Sequence, residues 1–117
     1  MHELSVARAL LRQVERLAGE HRALAVRGVT VRIGPLSGVE PGLLARAFPR
    51  AAAGSVADGA ELRIESVPVR VHCEDCGAEG EAAPNRLACP ACGSLNTRLA
   101  GGDEMLLVSL ELETSDV

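Results

Sequence analysis

The chain has 117 residues, 47% of them hydrophobic, and a formal net charge of −4. This length and apolar content suffice for one compact domain with an aliphatic core, joined to at most a small satellite held by metal. No apolar run approaches the roughly 18 residues of a membrane span, and the acidic balance disfavours nucleic acid.

The first predicted element is an amphipathic helix near the amino terminus. Its apolar face repeats at helical spacing and comprises Leu4, Ala7, Leu10, Leu11, Val14, Leu17 and Ala18. Ser5 is the predicted N-cap of this helix, and Gly19 is the predicted end. We expect the helix to hold the three residues at its amino-terminal end, Met1, His2 and Glu3, in place without burying them.

A strand and a second helix follow. Apolar and polar residues alternate across 29–33, which predicts a half-buried strand. Pro41 suits the first position of a helix, with Glu40 at the N-cap position before it. Pro49 lies within the apolar pattern of that helix and removes one backbone hydrogen bond, so we expect a kink or an early end there.

Two further alternating segments have opposite phase. Residues 61–65 predict a second strand, and the phase change before residues 67–71 predicts a bulge or bend where the chain leaves the core sheet. Gly101-Gly102 is a predicted hinge, and residues 106–112 alternate again as the last core strand. The order of elements predicts an α+β fold: two helices on a small three-stranded sheet, with an inserted four-cysteine zinc-ribbon module. We expect one domain at 1–68, completed by 103–117, and the ribbon domain at 69–102.

All four cysteines lie in two C-x2-C pairs that are separated by twelve residues. Two residues between thiolates let one turn aim both sulfurs at one point, and Gly77 and Gly93, which follow the pairs, tolerate positive φ. The spacing predicts a structural zinc ion held by Cys73, Cys76, Cys89 and Cys92. A structural zinc contributes about 10 kcal/mol or more to folding. The segment between the outer cysteines has little apolar content beyond Leu87, so it should not fold without metal.

The cysteines have three other interpretations. Two disulfides need an oxidising compartment, but the chain opens at MHELS with no secretory signal, so we expect a cytoplasmic protein. A thioredoxin-like redox pair needs one CxxC at a helix start, without trailing glycines. Iron in a rubredoxin-like site uses the same paired turns and stays the rival of zinc. Phe48 is the only aromatic residue, so the aromatic shell expected around an electron-transfer iron is missing.

His2 can close a chelate with the amino terminus itself. The Met1 amine, the His2 backbone amide and the His2 imidazole form fused rings around one ion once the amide loses its proton. Nickel(II) and copper(II) accept this near-planar, nitrogen-rich geometry, whereas zinc prefers a tetrahedron. The fourth ligand is left open between the Glu3 backbone and a carboxylate from elsewhere. A disordered, idle end is the ordinary alternative, and His21 is expected to be exposed and idle.

Three motifs together carry a family resemblance. The MHELS start, the SGVEP turn before the second helix and the CxxCG…CPxCGS ribbon before the last strand resemble the HypA/HybF family of nickel metallochaperones for [NiFe] hydrogenase maturation. The resemblance covers essentially the whole chain. It implies a nickel site at His2 in the domain at 1–68, with Glu3 beside it and the Met1 amine contributing. It also implies a role for Glu40, where Asp is common in the family and Glu is one methylene longer.

The resemblance further implies what the protein does and with whom. It implies a carrier with structural Zn²⁺ and Ni²⁺ as cargo, which catalyses no reaction. Its partners would be a HypB-type GTPase and the hydrogenase large-subunit precursor, with urease served as well in some organisms. We expect a monomer or weak homodimer with no nucleic-acid or membrane partner. The alternative is a zinc-ribbon adaptor that binds proteins and has no nickel function.

Overall fold

The structure is a computed structural model that describes residues 2–115. It contains helices α1 (His2–Glu20) and α2 (Pro41–Ala52) and strands β1 (Ala25–Ile33), β2 (Glu61–Ser66), β3 (Val69–Cys73), β4 (Glu79–Ala82), β5 (Thr97–Gly101) and β6 (Met105–Glu113). The strands of the described chain form two three-stranded sheets, in the orders β2-β1-β6 and β4-β3-β5. The predicted α+β class, with two helices, a small sheet and an inserted four-cysteine module, is confirmed.

The described chain divides into two compact units. The first consists of the residues up to Val31, Val39–Glu65 and the residues from Leu106 onward, and it holds both helices. Its buried side chains are Ala7, Leu10, Val14, Ala18, Val26, Val29, Val31, Leu44, Phe48, Ala52 and Ala57. The second unit consists of Arg32–Gly38 and Ser66–Met105, and it carries all four cysteines.

Helix α1 begins earlier and ends later than the sequence predicts. It starts at His2, so His2 lies in its first turn and Ser5 is not the N-cap. At the other end the helix continues through Gly19 to Glu20, and Arg22 takes the left-handed conformation with φ 52°. The Ala23 N–H donates to the Ala18 carbonyl at 2.9 Å. This bond pattern is that of a Schellman motif, in which a glycine usually occupies the left-handed position.

Helix α2 confirms the predicted start and corrects the predicted end. The Glu40 carboxylate accepts hydrogen bonds from the Gly42 N–H at 3.2 Å and the Leu43 N–H at 2.8 Å, and Pro41 occupies the first turn. The helix continues past Pro49 to Ala52. Of the two outcomes expected at Pro49, a kink or an early end, the early end was wrong, because burial of the helix's apolar face compensates for one missing backbone bond.

The phase change between 61–65 and 67–71 marks a change of sheet. Strand β2 ends at Ser66, and β3 begins at Val69 as the central strand of the second sheet. Val69 and Val71 are fully buried there. The metal-bearing unit thus has apolar side chains of its own, supplied by residues that precede the first cysteine.

Strand β6 does not keep one apolar face along its length. Leu106 and Val108 are 50% and 41% exposed, whereas Leu110 and Leu112 are half-buried. The alternation therefore changes phase between Val108 and Leu110. Because β6 is an edge strand of its sheet, its first half can leave large side chains uncovered. The single apolar face expected over 106–112 was wrong.

Three backbone segments of the second unit cross at glycines. A Cβ on Gly34 would clash with the Gly102 carbonyl. A Cβ on Gly102, whose φ is 105°, would lie 2.6 Å from the Val69 Cα. The Gly34 N–H donates to the Glu104 carbonyl at 2.8 Å, and the Leu36 N–H donates to the Gly102 carbonyl at 2.7 Å. Gly102, which the sequence predicted as a hinge, is held in a close-packed crossing.

We predict that Gly34→Ala lowers the free energy of unfolding by about 1–3 kcal/mol or more, since the new methyl group meets backbone that cannot move aside. Urea unfolding followed by circular dichroism measures this. Gly19→Ala is the matched control: its Cβ meets nothing within 4 Å, so it should stabilise the helix by ~0.5–1 kcal/mol. Equal stability of the two variants would refute the crossing.

Candidate metal centre

The two cysteine pairs form turns with the same hydrogen-bond pattern. In the first, the Cys73 N–H donates to the Ala78 carbonyl at 2.8 Å, and the Gly77 N–H donates to the Cys73 carbonyl at 3.0 Å. The second repeats both bonds at 2.8 Å each, from Cys89 to Ser94 and from Gly93 to Cys89. Gly77 and Gly93 have φ of 77° and 78°, which confirms their predicted left-handed conformation.

The four sulfur atoms converge on one point. All four lie within 4.8 Å of one another. The Cys73 and Cys92 Sγ atoms are 3.7 Å apart, and the Cys76 and Cys89 Sγ atoms are 3.6 Å apart. A tetrahedral ion with zinc–sulfur bonds of about 2.3 Å has sulfur–sulfur edges of about 3.8 Å. The donor set therefore fits such an ion, and all four cysteines are free thiols instead of two disulfides.

Backbone N–H groups make the thiols unequal. The Cys92 and Ala91 N–H groups lower the pKa of Cys89 to about 7, and the Ala91 N–H lies 3.3 Å from the Cys89 sulfur. The Ser94 N–H acts to lower the pKa of Cys92, but the neighbouring Cys73 thiol, partial desolvation and the Cys76 and Cys89 thiols together outweigh it and raise that pKa to about 12. Four thiolates at this distance repel one another, so a cation is what allows all four to be deprotonated together.

Each turn contributes one buried and one exposed thiol. Cys73 and Cys89 are 0% and 2% exposed, whereas Cys76 and Cys92 are exposed. Cys73 shares the buried face of β3 with Val69 and Val71, and the exposed members face solvent. The site is thus enclosed on one side only.

A polar clasp joins the two turns without using a cysteine. The Ser94 hydroxyl donates to Asp75 Oδ2 at 2.5 Å, and the Asn96 amide donates to Asp75 Oδ1 at 2.9 Å. The Asn96 N–H donates to the Ser94 hydroxyl at 3.0 Å. These bonds, from Ser94 first and Asn96 second, lower the pKa of Asp75. We name these three residues the clasp. The sequence pattern does not predict the clasp, because Ser and Asn after a turn resemble ordinary loop residues.

The residues predicted to hold nickel are not gathered into one cluster. Met1 lies outside the described residues, His2 is exposed at the first residue of α1, and Glu3 is half-buried. Glu40 is exposed, and both its carboxylate oxygens cap α2. Across residues 2–115, the four cysteines are the one group of three or more His, Cys, Asp or Glu residues that could hold a metal ion.

Comparison with known proteins identifies the family. The model of the HypA family, described as hydrogenase/urease nickel incorporation, metallochaperone, matches residues 1–112. The chain belongs to the HypA family. It is 49% identical over 115 residues to the hydrogenase maturation factor HypA of Nitrosospira multiformis, covering 98% of this chain and 100% of the relative. It is 48% identical over 113 residues to that of Aquifex aeolicus, covering 97% and 98%.

Solved structures of HypA proteins share the fold of this HypA-family chain. The solution structure of the Ni metallochaperone HypA from Helicobacter pylori superposes with a TM-score of 0.72 at 31% identity, covering 97% of this chain and 98% of that one. A second solution structure of a HypA protein gives 0.75 at 32% identity, covering 98% of each chain. No helix in the described part of the chain is long and apolar enough to cross a membrane.

We predict that Asp75→Ala speeds the loss of metal from the cysteine site by about tenfold, because the two turns lose the clasp and separate more readily. Release to a chromogenic chelator measures the rate. Glu81→Ala is the matched control, since Glu81 is an exposed acid of the same unit and its loss changes the charge equally. Equal rates for the two variants would mean that the clasp does not hold the site.

Proposed function

We propose that this HypA-family protein binds one Ni(II) ion at its amino terminus and delivers it for hydrogenase maturation. The family supports nickel as the cargo. The observation that carries the site assignment is the position of His2, which is exposed and is the first residue of a well-packed helix. The donors we assign are the Met1 amine, the His2 amide and imidazole, and Glu3.

The start of a helix suits such a site physically. The first four N–H groups of an α-helix have no intrahelical partner, so the His2 amide can lose its proton without breaking a helix hydrogen bond. The positive end of the helix dipole also favours the resulting amide anion. Packing of Ala7 and Leu10 anchors the helix, while the donors at its end stay accessible for release of the ion.

Glu40 has a different relation to the cargo. Its carboxylate already accepts two backbone N–H groups of α2, and a metal ion would compete for the same oxygens. We therefore propose Glu40 as an auxiliary ligand and the amino-terminal nitrogens as the main ones.

We further propose that the four-cysteine site holds structural Zn(II). Its sulfur spacing fits a tetrahedral ion, and four thiolates leave no coordination position for a substrate. The scarcity of aromatic residues, with Phe48 alone, supports zinc over an electron-transfer iron. In this proposal the zinc ion stabilises the fold, and the nickel ion is the cargo that is transported.

The proposal extends to the setting in which the protein works. We propose a cytoplasmic carrier, monomeric or weakly dimeric, that catalyses no reaction. Its partners are a HypB-type GTPase and the hydrogenase large-subunit precursor, with urease as a second client in some organisms. The family description, which names nickel incorporation into hydrogenase and urease, supports these clients.

Untagged protein should bind one Ni(II) per chain, and His2→Ala should abolish this binding without changing the zinc content, because the chelate loses its imidazole. Isothermal titration calorimetry measures the nickel binding, and elemental analysis measures the zinc. An amino-terminal extension should act like the substitution, since it moves the amine away from His2.

His21→Ala is the control for the nickel test, because His21 is also exposed and has no assigned role. If His2→Ala binds nickel as the parent does, the site assignment fails. If the parent itself binds no nickel, the carrier function fails and the zinc-ribbon adaptor takes its place.

The purified protein should contain one zinc per chain and be colourless, whereas an iron site would absorb visible light. Cys92→Ser should remove the zinc, since one of four thiolate ligands is lost. Elemental analysis and the absorption spectrum test this. Stoichiometric iron in the parent protein would overturn the zinc proposal.

A further inference from the structure

A groove of about 350 Å³ lies within the first unit, between the start of α1 and the outer side of α2. It is lined by Glu3, Leu4, Leu43, Arg46, Ala47 and Arg50. We call it the helix groove. None of its residues is a cysteine of the metal site, and of the predicted nickel donors it contains Glu3.

The floor of the helix groove is apolar without serving the core. Leu44 and Phe48 are fully buried on the inner side of α2, whereas Leu43 is 44% exposed. Leu4 and Ala47 are half-buried beside it. An exposed leucine in a concave surface contributes little to the stability of the folded monomer, but it offers apolar area for contact with a bound partner.

The rim of the helix groove carries uncompensated positive charge. Arg46 and Arg50 are exposed, lie one helical turn apart, and form no ion pair with any residue that the structure describes. Like charges at this spacing destabilise a helix. Glu3 offers only one negative charge against the two arginines.

Some other arginines of the described chain are neutralised by neighbouring acids. Arg27 pairs with Glu113 at 2.7 Å, and Arg98 pairs with Glu74 at 2.8 Å. Arg63 contacts both Glu61 and Glu111. The rim of the helix groove thus differs from these sites in presenting guanidinium groups that have donors to spare beside an apolar floor.

We infer that the helix groove docks an acidic, amphipathic segment of another protein. Leucine-type side chains of that segment would fill the groove between Leu4, Leu43 and Ala47. Its carboxylates would accept paired hydrogen bonds from Arg46 and Arg50, the geometry for which guanidinium is suited.

A second copy of the chain suits the helix groove less well. A two-fold symmetric contact sets the same patch of both copies face to face. Arg46 and Arg50 of one copy would then lie near those of the other, and like charges across an interface oppose association. A separate acidic partner avoids this repulsion.

The location of the helix groove suggests how docking would serve nickel delivery, and this link rests on the proposed function. Glu3 and Leu4 line the groove, and they directly follow His2. A segment docked there lies next to the amino-terminal donors, so a recipient of the ion would be held beside the cargo. The docking chemistry itself depends only on the groove.

Selection from a random 16-residue peptide library, displayed on phage, tests the inference. The full-length protein is the bait, and the R46E/R50E variant is used for counter-selection. Enriched peptides should combine Asp or Glu with Leu-type residues at helical spacing. Fluorescence anisotropy should show affinity at least about tenfold weaker for R46E/R50E and for Leu43→Ser, a difference of about 1.4 kcal/mol.

The matched control is R12E/R16E. Arg12 and Arg16 are also exposed, one turn apart and without an ion pair among the described residues, but the shallow cavity that they line with Gln13 has no apolar residue. This variant has the same net charge as R46E/R50E and should change peptide affinity by less than about twofold, which is about 0.4 kcal/mol.

Several results would overturn the inference: no peptide enriched over the counter-selection, enriched peptides without acidic residues, or equal losses in both double variants. Self-association of the parent that R46E/R50E removes would assign the groove to a second copy instead.

Circular dichroism and zinc content verify that the variants fold, with Arg46→Gln/Arg50→Gln as the milder variant. Nickel stoichiometry should be unchanged in R46E/R50E, so loss of docking and loss of nickel binding are separable.

Discussion

Convergence of four sulfur atoms constrains the second unit more than any other contact in it. The thiols lie within 4.8 Å of one another, although their turns are separated by twelve residues of chain. Strand β3 carries the first thiol and pairs with both β4 and β5, which brings the two turns together. The clasp of Asp75, Ser94 and Asn96 then fixes their spacing with hydrogen bonds that need no metal. Strand pairing, the clasp and the four thiols thus act on the same two turns.

The two proposed metal sites differ in ways that suit different tasks. The cysteine site offers four soft, anionic donors in a closed set, which favours retention of an ion that is never consumed. The proposed amino-terminal site offers nitrogen donors at the exposed start of the chain, and all three of them, the amine, the amide and the imidazole, must lose or lack a proton. Such a site releases its ion when protons or a competing ligand arrive, which is what a carrier needs.

The sequence predicted those parts of the fold that depend on local chemistry. The C-x2-C spacing predicted the sulfur cluster, and Glu40 followed by Pro41 predicted the start of α2. Local rules failed where tertiary packing decides the outcome. Helix α1 was expected to end at Gly19, but it continues to Glu20, and Arg22 then takes the left-handed conformation. Helix α2 continues through Pro49 because its apolar face is buried.

Apart from the sulfur cluster, the long-range contacts described above could not be predicted from the sequence. The clasp joins Asp75 to residues 19 and 21 positions away, and nothing in their local pattern distinguishes them from a solvated turn. The membership of Arg32–Gly38 in the second unit is likewise set by a crossing with Gly102. The nickel site is difficult to predict from sequence for another reason. Two of its proposed donors, the Met1 amine and the His2 amide, are main-chain nitrogens that every sequence possesses.

The uneven burial of the cysteines gives the sulfur site an inner and an outer half. Cys73 and Cys89 are shielded by protein, while Cys76 and Cys92, one from each turn, face solvent. A chelator or an oxidant therefore meets one thiol of each pair before it meets the other. Demetallation should proceed in stages, through a state in which the inner pair still holds its shape. Loss of the ion from the outer pair could then be reversed by rebinding for as long as that inner half persists.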